Sequence, residues 1–177
     1  YAERYQLPVI HLLDKALTST LQTVPPFDIQ RLCIDRGMRY EADHEAKNPV
    51  QRFALTDSGI SPRPLLGQPG GQHWLTGVEH TEEGLVTEDP EMREKMMEKR
   101  ARKLLQAAQD IPANEKWQLY GDREATLTII TWGSNKGAVL EALAMLEEEG
   151  IRARAIQLRL LWPFPAKELE AILSTAA

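Results

Sequence analysis

Between Thr126 and Pro163 the apolar period switches from two to about 3.6 and back to two, and few folds accommodate that exchange. Thr126 to Trp132 alternates Leu127, Ile129 and Thr131 with Thr128, Ile130 and Trp132, a Thr- and Ile-rich run that suits a pleated, mostly buried strand. It stops at Gly133. After a turn to Gly137, Val139, Ala142, Leu143 and Leu146 recur at helical spacing, with Glu141, Glu147, Glu148 and Glu149 largely opposite. Gly150 suits a left-handed cap, and from Ile151 the period of two returns through Ile156, Leu158, Leu160 and Leu161. Such a pattern predicts a right-handed βαβ crossover that lays two parallel strands in one sheet.

The turn Trp132-Gly133-Ser134-Asn135-Lys136-Gly137 precedes a helix N-terminus, a place that suits phosphate. Its spacing is wrong for a nucleotide. The dinucleotide fingerprint wants GxGxxG and an acid about 20 residues on, where the second strand here carries Gln157 and Arg159. A P-loop is excluded because Lys136 precedes the last glycine. These residues describe a tight strand-to-helix turn, and the chain as a whole displays no catalytic constellation.

A chain of 177 residues suffices for one full domain or for parts of two. It opens on Tyr1 and stops at Ser174-Thr-Ala-Ala inside a helical pattern, and one βαβ unit is little sheet for a finished domain, so a segment of a longer polypeptide is expected. The net charge of −5, with Lys and Arg scattered among more numerous acids, forms no basic stripe and argues against nucleic acid. Neither a membrane-length apolar run nor a signal peptide appears, so a soluble cytoplasmic protein is expected. Cys33 has no partner for an intrachain disulfide, and an iron-sulfur cluster ordinarily wants four thiolates. Enclosed by Leu32 and Ile34 in a strand-like run, it is expected to be buried and inert.

In chain order, Ala2 to Leu7 reads as the end of a helix and Pro8 to Asp14 as a short apolar strand, with Asp14 capping the following turn. From Leu21 to Gly71 regular signals thin out: Pro25-Pro26 breaks the chain, Ile29 to Asp35 is a candidate short strand, and Gly37 to Asn48 is highly charged. Turn-formers follow in series at 57–64 and 67–71. So long an irregular excursion is either functional or a connector over a partner, and composition does not choose. Arg39, Arg52 and Arg63 offer a bidentate anion clamp or, more ordinarily, surface pairing with the surplus acids. His73, Glu79 and His80 cluster without HExxH or HxxEH spacing, which argues against a zinc site. Asp89-Pro90 opens the longest helix, about 90–111, whose stripe of Met92, Met96, Leu104, Ala108 and Ile111 suits packing. Pro112 to Glu124 reads as a linker anchored by Trp117 and Tyr120, Trp162 to Pro165 as a rigid bend, and Ala166 to Leu173 as a last helix.

The order of these features resembles the alpha subunit of 2-oxoacid:ferredoxin oxidoreductases, particularly the 2-oxoglutarate type. The resemblance is carried by AERYQLPVIHLLD, IDRGMRY, RFALTDSGISPR, GQPGGQHWLTGVEHTEEGLVTEDPEMREKMMEKRARKL, TIITWGSNKGAVLEALAMLEEEGI and LWPFPAKELE, and is most specific from Gly77 to Leu104. It implies three parts: residues 1–22 as the tail of a pyrimidine-binding, thiamine-type domain, 23–116 as an irregular connector, and 117–177 as the start of a transketolase C-terminal-like α/β domain with a Rossmann-like parallel sheet. It further implies a complex with a beta subunit that uses thiamine diphosphate, Mg and an iron-sulfur cluster to decarboxylate a 2-oxoacid onto coenzyme A and pass electrons to ferredoxin. The family's substrate and cofactor motifs map outside this stretch, so no catalytic, cofactor or metal residue is assigned here. Arg63, Trp74, Glu79 and His80 are expected to face the partner subunit or the rim of its thiamine site. The alternative is an independent α/β module that binds a nucleotide or an acyl carrier at the βαβ turn.

Overall fold

The computed structural model describes residues 1–41 and 50–174, which fall into two compact units. One comprises Tyr1–Ile10 with Phe27–Ala107, and the other His11–Pro26 with the chain from Ala108 onward. In chain order the elements are α1 (Ala2–Tyr5), α2 (Lys15–Ser19), α3 (Pro90–Asp110), α4 (Ala113–Lys116), β1 (Trp117–Gly121), β2 (Leu127–Trp132), α5 (Lys136–Glu148), β3 (Ala153–Leu158) and α6 (Ala166–Ser174). Single 3-10 turns lie at Ile29–Arg31 and Gly133–Asn135. The charged run read from Gly37 to Asn48 falls largely outside the described residues.

In the second unit, β2 and β3 run parallel, from Leu127 opposite Ala153 to Trp132 opposite Leu158, with α5 between them in sequence. This is the βαβ unit that the exchange of periods predicts. Gly150 follows α5 with φ of 77°, as a left-handed cap requires. The stretch read as a linker is different: residues 117–121 form β1, antiparallel to β3 and on its other side, so the sheet is mixed in the order β1-β3-β2. Five residues without a clean period carry little local signal, and β1 exists because β3 supplies its ladder.

Register partners share a face and successive residues alternate. Tyr120, Ala155 and Ile129 therefore line one face, where the Lys136 ammonium at the start of α5 lies 5.1 Å from the Tyr120 ring centre. Leu119, Ile156 and Ile130 line the other face, as does Arg154, whose guanidinium reaches the Ile172 carbonyl of α6 at 2.9 Å. Thus α5 and α6 cover opposite faces. Arg154 is fully buried and pairs with no carboxylate among the described residues: its other donors go to Thr128 Oγ1 at 2.8 Å and the Arg123 carbonyl at 2.7 Å. The carbonyl end of α6 carries the compensating partial negative charge.

In the first unit α3 is the regular element, buried at Met96, Lys99 and Ala107. Glu91 N–H donates to the Asp89 carboxylate at 3.1 Å, the cap that Asp89-Pro90 predicts. The rest is irregular chain held by side chains: Ser61 donates to the Ala54 carbonyl at 2.9 Å, Thr56 to Ile60 at 3.0 Å, and Glu82 accepts from Leu55 N–H at 2.7 Å. Gly59, at φ of 77°, sits so close to α3 that a Cβ there would lie 2.3 Å from the Lys99 carbonyl.

Three local expectations fail for one physical reason. Residues 8–14 form no strand, residues 29–35 form only the 3-10 turn, and Cys33 is exposed. A short apolar run becomes a buried strand only when a neighbour takes its backbone groups, and among the described residues none does.

Candidate functional site

The His- and Glu-bearing stretch 73–80 folds against α3. Arg100 donates to Glu79 as a fork, Nη1 at 3.0 Å and Nη2 at 2.6 Å. Those bonds hold the Glu79 carboxyl below the usual carboxylate range and push the Arg100 guanidinium above its ordinary value. His80 is buried, its Nδ1 3.0 Å from the Thr81 carbonyl oxygen and its ring centre 3.9 Å from that of Phe53. Arg63 pairs with Glu3, which Arg36 also approaches at 3.8 Å. Trp74 alone of the four stays largely in solvent, 65% exposed. The structure thus brings Glu79 and His80 together, engages Arg63 elsewhere, and leaves Trp74 presented.

Sequence reasoning passed over a group of cations in the same unit. Lys99, 3% exposed, donates to the Phe53 carbonyl at 2.7 Å; Arg52 donates to the Gln6 side chain at 3.1 Å and Lys103 to its carbonyl at 3.2 Å. Burial, then repulsion from Lys103, Arg52 and Arg100, lowers the Lys99 amine from 10.5 to about 7. A signal was present: Met92, Met96, Lys99 and Lys103 share one helical face, so two lysines interrupt an apolar stripe. Arg52, expected in a clamp or in surface pairing, makes no ion pair among the described residues.

In the second unit Asp14 does more than cap α2. Its carboxylate accepts from Leu17 N–H at 2.9 Å and from Ser134 N–H at 3.0 Å, tying the 3-10 turn after β2 to the start of α2. Hydrogen bonds from Ser134 and Leu17 hold its pKa below the ordinary value. The Ser134 amide, one donor that a phosphate in this turn would use, is already engaged by a resident anion. Among the described residues no three His, Cys, Asp or Glu side chains stand close enough to hold a metal ion.

Residues 116–176 match the family model described as transketolase, C-terminal domain. Over 98% of its length the chain is 44% identical to 2-oxoacid:ferredoxin oxidoreductase 2, subunit alpha, of Aeropyrum pernix, covering 26% of that protein. It is 39% identical to the 2-oxoacid:ferredoxin oxidoreductase subunit alpha of Saccharolobus solfataricus, again over 98% of the chain and 27% of the relative. The solved 2-oxoglutarate:ferredoxin oxidoreductase of Magnetococcus marinus, with 2-oxoglutarate, coenzyme A and succinyl-CoA bound, superimposes with a TM-score of 0.83 at 34% identity, over 98% of this chain and 29% of that one. The chain belongs to the 2-oxoacid:ferredoxin oxidoreductase alpha-subunit family. It spans about a quarter of the length of these two curated relatives. Within this family stretch the sheet unit carries the transketolase C-terminal match, and the Glu79–Arg100 fork, His80 and Trp74 lie ahead of it in sequence.

Proposed function

We propose that the chain is part of the alpha subunit of a cytoplasmic, thiamine-diphosphate-dependent complex that decarboxylates a 2-oxoacid, 2-oxoglutarate foremost, onto coenzyme A and delivers electrons to ferredoxin. Within that complex this stretch serves architecture and the contact with a beta subunit. The observation that carries the reading is the continuous similarity to alpha subunits over 98% of the chain.

Residues 1–22 are then the tail of a pyrimidine-binding domain, 23–116 a connector, and 117–177 the start of a transketolase C-terminal-like domain. The sheet favours that last assignment. On the α6 face of β2, at the sheet edge, Ile130 opens onto an apolar groove of about 510 Å³ with Phe164, Leu169 and Leu173. Because α5 and α6 lie on opposite faces, a right-handed crossover after α6 sets the next parallel strand beside β2, over that groove.

Thiamine diphosphate, Mg and an iron-sulfur cluster are implied for the complex, and the residues here do not fit them. The single exposed thiol of Cys33 is three short of an ordinary cluster set. Neither a His nor a carboxylate trio stands ready for a metal among the described residues, and Asp14 engages the Ser134 amide.

Trp74 is the interface anchor: a large, exposed amphipathic ring on the stretch that the Glu79–Arg100 fork braces. In the full-length assembled enzyme, Trp74→Ala is expected to weaken association with the beta subunit at least tenfold, read by sedimentation, with turnover falling in step. Unchanged association and unchanged turnover would discard the interface role.

A further inference from the structure

β2 and β3 are adjacent parallel strands whose following helices leave to opposite faces, α5 to one and α6 to the other. In open α/β sheets such a switch point opens a crevice at the carboxyl ends of the strands, where ligands bind. Here those ends bring together Gln157, Arg159 and Lys136, with Tyr120 reaching in from β1. The Tyr120 hydroxyl lies 3.3 Å from Gln157 Oε1, and the Lys136 ammonium lies 5.1 Å from the Tyr120 ring centre. Arg159 also donates to the Asn114 carbonyl at 2.9 Å and to the Gln118 side chain.

Arg159 is thus held on Gln118, which shares the β1 face of Tyr120, while Lys136 lies at the Tyr120 ring, and the acceptors of Arg159 are neutral. Neither Lys136 nor Arg159 makes an ion pair among the described residues. Burial raises the phenol, yet the nearby Lys136 and Arg159 cations outweigh it and leave Tyr120 below its ordinary pKa, the response expected where a negative charge is favoured. At Gly137 a Cβ would meet nothing within 4 Å, so the first turn of α5 borders open space.

We infer that the crevice at the carboxyl ends of β2 and β3 is an oxyanion site, in which Lys136 and Arg159 bind the phosphoryl or carboxylate group of a small metabolite. The guanidinium supplies a planar fork, the ammonium a point charge, and the Tyr120 hydroxyl a neutral donor. Recognition is by side chains, since Asp14 engages the Ser134 amide of the adjoining turn. Lys136 lies over the Tyr120 ring, which keeps that ring from stacking a nucleobase and restricts selection to the anionic group.

The test is equilibrium dialysis of the full-length assembled enzyme, in excess thiamine diphosphate, against radiolabelled inorganic phosphate and separately against acetate. Lys136→Gln and Arg159→Gln are compared with Arg152→Gln, a control at the amino end of β3 paired with Asp122. One saturable site per alpha subunit is expected, weakened at least tenfold by either crevice variant and unaltered by the control. Phosphate alone binding assigns a phosphoryl ligand, acetate alone a carboxylate, and both a general oxyanion site. Absence of saturable binding, or binding that is the same in the crevice variants and the control, overturns the site.

Discussion

The two units hold their backbones by different means. Around β3 the polar groups are met by a ladder: every residue of that strand has a partner on β2, and most have one on β1 as well. Around α3 the chain from 50 to 86 is irregular, and its carbonyls and amides are met by side chains such as Ser61, Thr56, Glu82 and Lys99. A ladder tolerates any side chain that fits the pleat, whereas a side-chain brace depends on one residue at one place. The sheet should therefore be most sensitive to lost volume, and the braced chain to lost geometry.

The largest effect tests the first half of that contrast. Ile156 is 0% exposed at the centre of the sheet, and Ile156→Ala is expected to cost about 2–5 kcal/mol, measured as lost amide-exchange protection along Ala153–Leu158. A cost below about 1 kcal/mol would mean that volume does not govern this unit. Next comes a pair of glycines in the braced chain. Gly59 and Gly67 both have positive φ, 77° and 79°, but a Cβ at Gly59 meets the Lys99 carbonyl while one at Gly67 meets open space. Gly59→Ala is expected to cost at least about 2 kcal/mol and Gly67→Ala about 1, the backbone strain alone. Equal costs, read from protection of the α3 amides and from the melting midpoint, would remove close approach as the reason for Gly59.

The same contrast explains what could be read from the chain. Periodicity reports a ladder or a helix because each repeats its environment, so the βαβ unit, α3 with its Asp89 cap and the Gly150 stop were legible. β1 was not, because five residues take their structure from β3. Residues 8–14 misled for the opposite reason: Val9, Ile10, Leu12 and Leu13 have strand composition, but all are exposed and none has a strand beside it among the described residues. In the candidate sites, the Asp14 cap was legible as a local Asx pattern, while its second bond, to Ser134, joins residues 120 positions apart. The convergence of Tyr120, Lys136 and Arg159 likewise needs three elements and leaves no spacing in the sequence.

The smallest effect lies with Lys99, where the brace itself carries a cost. Lys99 is 3% exposed and faces Lys103, Arg52 and Arg100, with Glu82 acting in the other direction. Its amine releases a proton near 7 when folded against 10.5 ordinarily, so between those values the unfolded chain binds more protons and stability rises with pH. The penalty is complete below about 7 and gone above 10.5. Lys99→Met removes the charge but keeps most of the stem's volume, at the loss of one bond to the Phe53 carbonyl. At pH 6 the variant is expected to be more stable by about 1–2 kcal/mol, an advantage that shrinks as pH climbs from 7 toward 10.5. Denaturant midpoints across that range decide it: a difference that does not change with pH would place the cost of this brace in packing, not in a buried charge.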